Sequence, residues 1–205
     1  MSETELSHPN MIKSIFSDDD YRYVYSLLDT SPLEFDCGDL CGKRCCQEYQ
    51  PGVGMYLLPG EEKLFTGQEP WLKWSLKRAE DQDFPPDWKG YVAFVECNSN
   101  CPREKRPVQC RTFPLMPYID LRGNLTVRLD VLNGPFLCPL VRYPRKYPLR
   151  DEFRQRVLEA WRILVTDPLI RSDVLWQSRN LDRDIRSPWR KLFQRVTFFR
   201  PPERR

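Results

Sequence analysis

The chain has 205 residues, 40% hydrophobic and 13% aromatic, with a formal charge of +3 and a mean hydropathy of -0.61. That length supports one core-bearing domain with appendages, and no run approaches the roughly 18 apolar residues of a membrane span. A charge so near balance argues against a dedicated nucleic-acid binder, whose domain is clearly basic, and a single histidine, His8, argues against hydrolases built on a histidine base.

Residues 1–20, MSETELSHPNMIKSIFSDDD, hold no apolar stretch able to act as a signal peptide. His8 reads as a solvated side chain in a loose leader. Asp18 to Asp20 can cap a short helix on which Tyr21, Val24, Tyr25 and Leu28 recur at helical spacing, ending near Ser31 and Pro32.

The run DCGDLCGKRCC then places Cys37, Cys41, Cys45 and Cys46 within ten positions, and Cys97, Cys101, Cys110 and Cys138 complete the eight cysteines. Buried single thiols would be scattered among apolar runs, whereas these sit beside Gly38, Asp39, Gly42, Asn98, Asn100 and Pro102. Disulfides would need an oxidising compartment. The spacing therefore points to thiolates gathered on metal, in a cytoplasmic protein. Neighbouring side chains at 45 and 46 point in different directions, so they serve two sites or leave one spare. At four ligands per site, eight thiols make two zinc or cysteine-ligated iron–sulfur centres, with one site and extra cysteines as the alternative.

Pro59-Gly60-Glu61-Glu62 reads as a helix start, its acids placed where the helix dipole favours them. Functionally, Glu61 or Glu62 beside a thiolate centre is an oxygen ligand or a proton acceptor. Trp71, Trp74 and Leu76 are expected to continue a helical surface closed by Phe84-Pro85-Pro86. Tyr91 to Val95 is a β-rich run that delivers Glu96 and Cys97 at its end. Leu115 to Leu121 and Leu125 to Val131 flank Arg122-Gly123-Asn124, a hairpin signal. A small antiparallel sheet is thus expected to carry three of the four later cysteines. Beyond residue 150 the pattern becomes helical, with an amphipathic stretch from Asp151 to Val165 and a second from Pro168 to about Ser178. The tail from Arg186 to Arg205 has seven basic residues and one acidic. The organisation expected is a cysteine-cluster domain over 1–150 and a helical extension with a basic tail over 151–205.

Four thiolates on one zinc, or around a 4Fe-4S cluster, leave a double negative charge that is costly to bury alone. Lys43, Arg44, Arg103, Lys105, Arg106 and Arg111 lie within four residues of a cysteine and can offset it, or attract an anionic substrate.

The cysteine array, Glu61-Glu62 after a proline, and the block Arg106-Pro107-x2-Cys110-Arg111-x-Phe113-Pro114 together resemble the bacterial cysteine-cluster family, zinc- or iron-chelating proteins with the motif CxxCxxCC. The resemblance spans roughly residues 35 to 140, and the gaps in the first group are one residue longer than in the family motif. It implies metal binding. A related branch, the flagellin lysine methylases, further implies a 4Fe-4S cluster and methyl transfer from S-adenosylmethionine to protein lysines, although the chain has no nucleotide-binding glycine motif.

The leading expectation is therefore an α+β protein with a small sheet or hairpin and helices around a cysteine-rich metal centre. Its expected ligands are Cys37, Cys41, Cys45, Cys46, Cys97, Cys101, Cys110 and Cys138. Glu61, Glu62 and Arg111 would line a site acting on a protein or peptide, alone or as an enzyme's partner. The competing expectation is a non-catalytic zinc module presenting its helical end to another protein.

Overall fold

The computed structural model describes residues 8–46, 54–97, 101–132 and 134–186. In chain order these form α1 (Asp18–Leu27), β1 (Met55–Tyr56), β2 (Leu72–Arg78), β3 (Tyr91–Cys97), α2 (Val108–Thr112), β4 (Leu115–Ile119), β5 (Leu125–Leu129), α3 (Gly134–Leu137), α4 (Pro139–Arg142), α5 (Asp151–Leu164) and α6 (Pro168–Arg186). Single 3-10 turns punctuate the loops, at Cys37–Leu40, Arg44–Cys46, Glu61–Leu64, Ala79–Asp81 and Arg103–Lys105. The fold is α+β, with one antiparallel sheet ordered β1-β3-β2 and a separate β4-β5 hairpin. Among the described residues no helix is long and apolar enough to cross a membrane.

Local chemistry explains the elements. Ser17, one residue ahead of the acidic triplet, caps α1: its hydroxyl accepts from the Asp20 N–H, and Asp20 accepts from the Ser17 N–H at 2.8 Å. Tyr21, Val24 and Leu27 are buried on one face of the helix. In the hairpin, Asp120 takes the backbone N–H of Arg122 and of Asn124, each at 2.8 Å, and so organises the turn. Tyr91 to Cys97 form the central strand of the three-stranded sheet, as their β-branched and aromatic content anticipates.

Two expectations need correction. Trp71, Trp74 and Leu76 do not extend a helix, because Pro70 and the Thr66–Glu69 turn interrupt the chain. Leu72 and Trp74 then point inward with Lys73 outward between them, and the run pairs with β3 from Leu72 opposite Cys97 to Arg78 opposite Tyr91. The small sheet also fails to carry three of the later cysteines. Cys97 ends β3, but Cys110 lies on α2 and Cys138 immediately precedes α4.

The main core joins Tyr21, Val24, Leu115, Phe153, Val157 and Ile170. Residues on both sides of position 150 therefore share one interior, and α5 packs against α1, β4 and β5. A second cluster under the sheet includes Leu57, Phe65, Trp74 and Val95. The leader is docked from residue 8 onward: His8 is half-buried with its ring 4.2 Å from that of Tyr91. Buried Asp167 ties this segment to α6, accepting from Ser14 Oγ at 2.7 Å, the Ile15 N–H at 2.9 Å and the Leu169 N–H at 2.8 Å. The basic tail beyond residue 186 lies outside the described residues.

The loop before β3 is held on α6 by Trp88 Nε1 donating to the Leu169 carbonyl at 2.9 Å and Trp176 Nε1 donating to Asp83 at 3.0 Å. Asp173 is in this seam with Oδ1 sealed from solvent. Burial first, then repulsion from Asp83 and Asp87, pushes its pKa up to about 7 from 3.8. The native state thus keeps a proton that the unfolded chain releases. Its contribution to stability is complete below the ordinary value and is lost as pH rises through about 7. Asp173→Asn is expected to flatten the pH dependence of urea unfolding across that window and to be more stable than wild type above it.

Candidate functional site

Glu61 organises the surroundings of the cysteine region. It is fully buried at the start of a 3-10 turn, reached through Gly60, whose φ of 86° and approach to Ser14 and Tyr21 leave little room for a side chain. Oε1 accepts from Tyr25 OH and the Val108 N–H, both at 2.7 Å, and Oε2 accepts from the Leu58 N–H at 3.0 Å. Burial still raises its pKa, against the three donors and the Arg111 charge. The Val108 bond fastens the first residue of α2, and so sets where Cys110 and Arg111 stand. Arg111 lies over the Tyr25 ring, 4.3 Å from its centroid. Its Nε donates to the Arg106 carbonyl at 2.7 Å and Nη2 to the Glu104 carbonyl at 2.6 Å.

Beside this framework is a narrow pocket of about 50 Å³ lined by Cys37, Cys41, Cys45, Cys110 and Cys138. The two sequence groups thus meet, although Cys37 and Cys138 at their extremes are about a hundred residues apart along the chain. Arg103, Arg106 and Arg111 line the same pocket, together with Phe113 and Pro114. The first group is shaped by Asp36, which accepts from the Gly38 N–H at 2.9 Å, and by the left-handed pair Gly42 and Lys43. Cys37 and Cys138 both pack against the main core. Burial, then Asp36 and the neighbouring thiols Cys138 and Cys41, pushes the Cys37 pKa up to about 11. Burial likewise raises that of Cys138, while the N–H groups of Leu140 and Val141 lean the other way and Cys41 adds to the rise. The leading cause is the same at both positions: burial disfavours the charged thiolate, and the neighbouring Cys41 adds to the rise. Cys37, Cys41 and Cys138 are thiols, not disulfide halves.

The other candidates stand elsewhere. Cys97, at the end of β3, packs against the core under the sheet, and Cys101 Sγ is 3.6 Å from the Pro102 carbonyl; neither lines this pocket. The side chain of Cys46 lies outside the described residues. Glu62 is buried, which raises its pKa. Neither it nor Glu61 lines the pocket, whereas Arg111 does. Cys110 Sγ lies 3.5 Å from the sulfur of Met55, a neighbour that nothing in the spacing of the apolar GMYLL run announces. Five thiols with three guanidinium groups suit an anionic thiolate-ligated centre by donor chemistry. Among the described residues, no three His, Cys, Asp or Glu side chains are grouped so as to hold one metal ion. The chain matches no protein-family profile, no curated protein and no solved structure.

Removing the Glu61 carboxylate would leave two buried amides and the part-buried Tyr25 hydroxyl without their acceptor. Glu61→Ala is expected to lower the unfolding free energy by about 3 kcal/mol or more. Glu61→Gln, whose amide oxygen can still accept, should cost less. Urea unfolding at neutral pH measures both.

Proposed function

We propose that this protein holds a metal centre, an iron–sulfur cluster or zinc, on Cys37, Cys41, Cys45 and Cys138, which line one pocket and would close together on binding it, with Cys110 as a fifth thiol at its edge. The observation that carries the reading is the convergence of five cysteines from distant segments on one pocket whose remaining charged lining is three arginines. Arg103, Arg106 and Arg111 offset the double negative charge of a four-thiolate centre, and the adjoining core limits solvent access. The likeness of residues 37–46 and 106–114 to the metal-chelating cysteine-cluster proteins points the same way. A reducing compartment such as the cytoplasm would keep the thiols available. The assignment of Cys110 to the edge rests on its contact with Met55 and on its electrostatic effect on Tyr25.

Anaerobic purification followed by metal and acid-labile sulfide analysis tests the proposal. Iron with sulfide, and absorption near about 400 nm, is expected for a cluster; a colourless protein carrying zinc identifies the structural zinc alternative. Cys37→Ser, Cys41→Ser and Cys138→Ser should each remove the bound metal, while Cys97→Ser and Cys101→Ser should leave its stoichiometry unchanged. Protein isolated under these conditions without stoichiometric metal, or metal lost only on changing Cys97 or Cys101, would overturn the assignment.

A further inference from the structure

The net charge of +3 averages over an uneven chain. Residues 131–150 hold no aspartate or glutamate, against four cations at Arg142, Arg145, Lys146 and Arg150. Arg150 is engaged by Glu34 and Glu152. Among the described residues the other three are in no ion pair, and all three are exposed, as are Tyr143 and Pro144 between them. The turn that follows α4 sets their geometry. The Lys146 and Tyr147 N–H groups both donate to the Tyr143 carbonyl, at 3.0 and 3.1 Å, so the two tyrosines stand one turn apart, with about 5–6 Å between Cβ atoms for such a spacing. Each ring has a cation from the residue before it: Arg142 Cζ is 5.4 Å from the Tyr143 centroid and Lys146 Nζ is 5.1 Å from that of Tyr147. Tyr147 leans on the main core, whereas Tyr143 is 48% exposed.

Cations and rings thus alternate along Arg-Tyr-Pro-Arg-Lys-Tyr. An acidic peptide uses the cations and leaves the rings idle, and a duplex hides the faces of its bases. A polymer that carries both a negative charge and an open planar face in each repeat uses both, and the unpaired strands a cell holds are chiefly RNA. We propose that residues 142–147 bind single-stranded RNA, with phosphates on Arg142, Arg145 and Lys146 and a base stacked on Tyr143. Three cations make this a local, sequence-tolerant patch on a protein whose overall charge is nearly balanced, and it is independent of what the thiols hold.

The test is fluorescence anisotropy of the full-length protein, as purified, with a labelled adenine oligoribonucleotide of twelve residues, the same strand in a duplex, and a labelled oligoglutamate of twelve residues. The single strand is expected to bind with Kd on the order of 100 μM or tighter at about 50 mM salt, and more tightly than either of the other two. The triple variant Arg142→Gln/Arg145→Gln/Lys146→Gln should flatten the dependence of log K on log salt by about 2, three phosphates at about 0.7 each. Tyr143→Ala should weaken the single strand by about fivefold or more and leave the salt slope unchanged. The basic tail is present in every variant, so these differences belong to residues 142–147. The four side chains are exposed, and an unchanged unfolding midpoint confirms that the fold is kept. The proposal is overturned if the triple variant keeps the wild-type slope, if Tyr143→Ala binds as wild type does, or if the duplex or oligoglutamate binds as tightly as the single strand.

Discussion

One buried carboxylate underlies the geometry of the site. Glu61 collects donors from three separate stretches of chain, the Tyr25 hydroxyl on α1, the Leu58 amide ahead of its own turn and the Val108 amide that opens α2. The two amides are buried and the Tyr25 hydroxyl is part-buried, so the amides in particular must find an acceptor within the fold. A single residue meets all three demands, and the positions of α1 and α2 relative to the turn follow. Tyr21 adds a parallel tie, donating to the Pro59 carbonyl at 2.7 Å. Arg111 is then set by main-chain oxygens from two neighbouring residues and by the Tyr25 ring, with little freedom left in its long side chain.

The convergence of the cysteines depends on this framework from one side and on the main core from the other. Cys110 is carried by α2, which the Glu61 bond and Gln109, donating from Nε2 to the Tyr56 carbonyl at 3.2 Å, hold against β1. Cys37 and Cys138 rest on apolar residues shared with α1 and α5. The pocket thus lies where the cysteine loop, the turn before α2 and the approach to α4 come together. Three guanidinium groups share the same lining.

Much of this was legible in the sequence where periodicity and turn chemistry agreed. The β4-β5 hairpin had Gly123 between alternating runs, β3 had a β-branched and aromatic core, and α5 had Phe153, Val157, Trp161 and Leu164 on one face. Strand β2 was not legible, because tryptophans at 71 and 74 satisfy a helical spacing as well as they satisfy half of an alternating one. Glu61 illustrates a deeper reason. An acid after Pro-Gly looks the same in sequence whether it meets water, metal or three donors within the fold, and only burial separates these. Linear clustering of cysteines was likewise an incomplete guide. It told that thiols gather, but the direction of β3 takes Cys97 to the other core, and Met55 reaches Cys110 through sheet pairing that no spacing encodes.

The order of the three-stranded sheet has a bearing on solubility during folding. Strand β1 pairs over only two residues, and β2 is the long outer strand. One face of this strand carries Lys73, whose ammonium reaches Glu96 on the paired β3 at 3.7 Å, and Lys77, which lies 5.7 Å from the ring centroid of Phe94, also on β3. Ammonium groups along an otherwise open row of peptide donors and acceptors penalise the approach of a second such row. A strand carrying Leu72, Trp74 and Leu76 can therefore remain at the margin of its sheet without recruiting identical strands from neighbouring molecules into a growing stack.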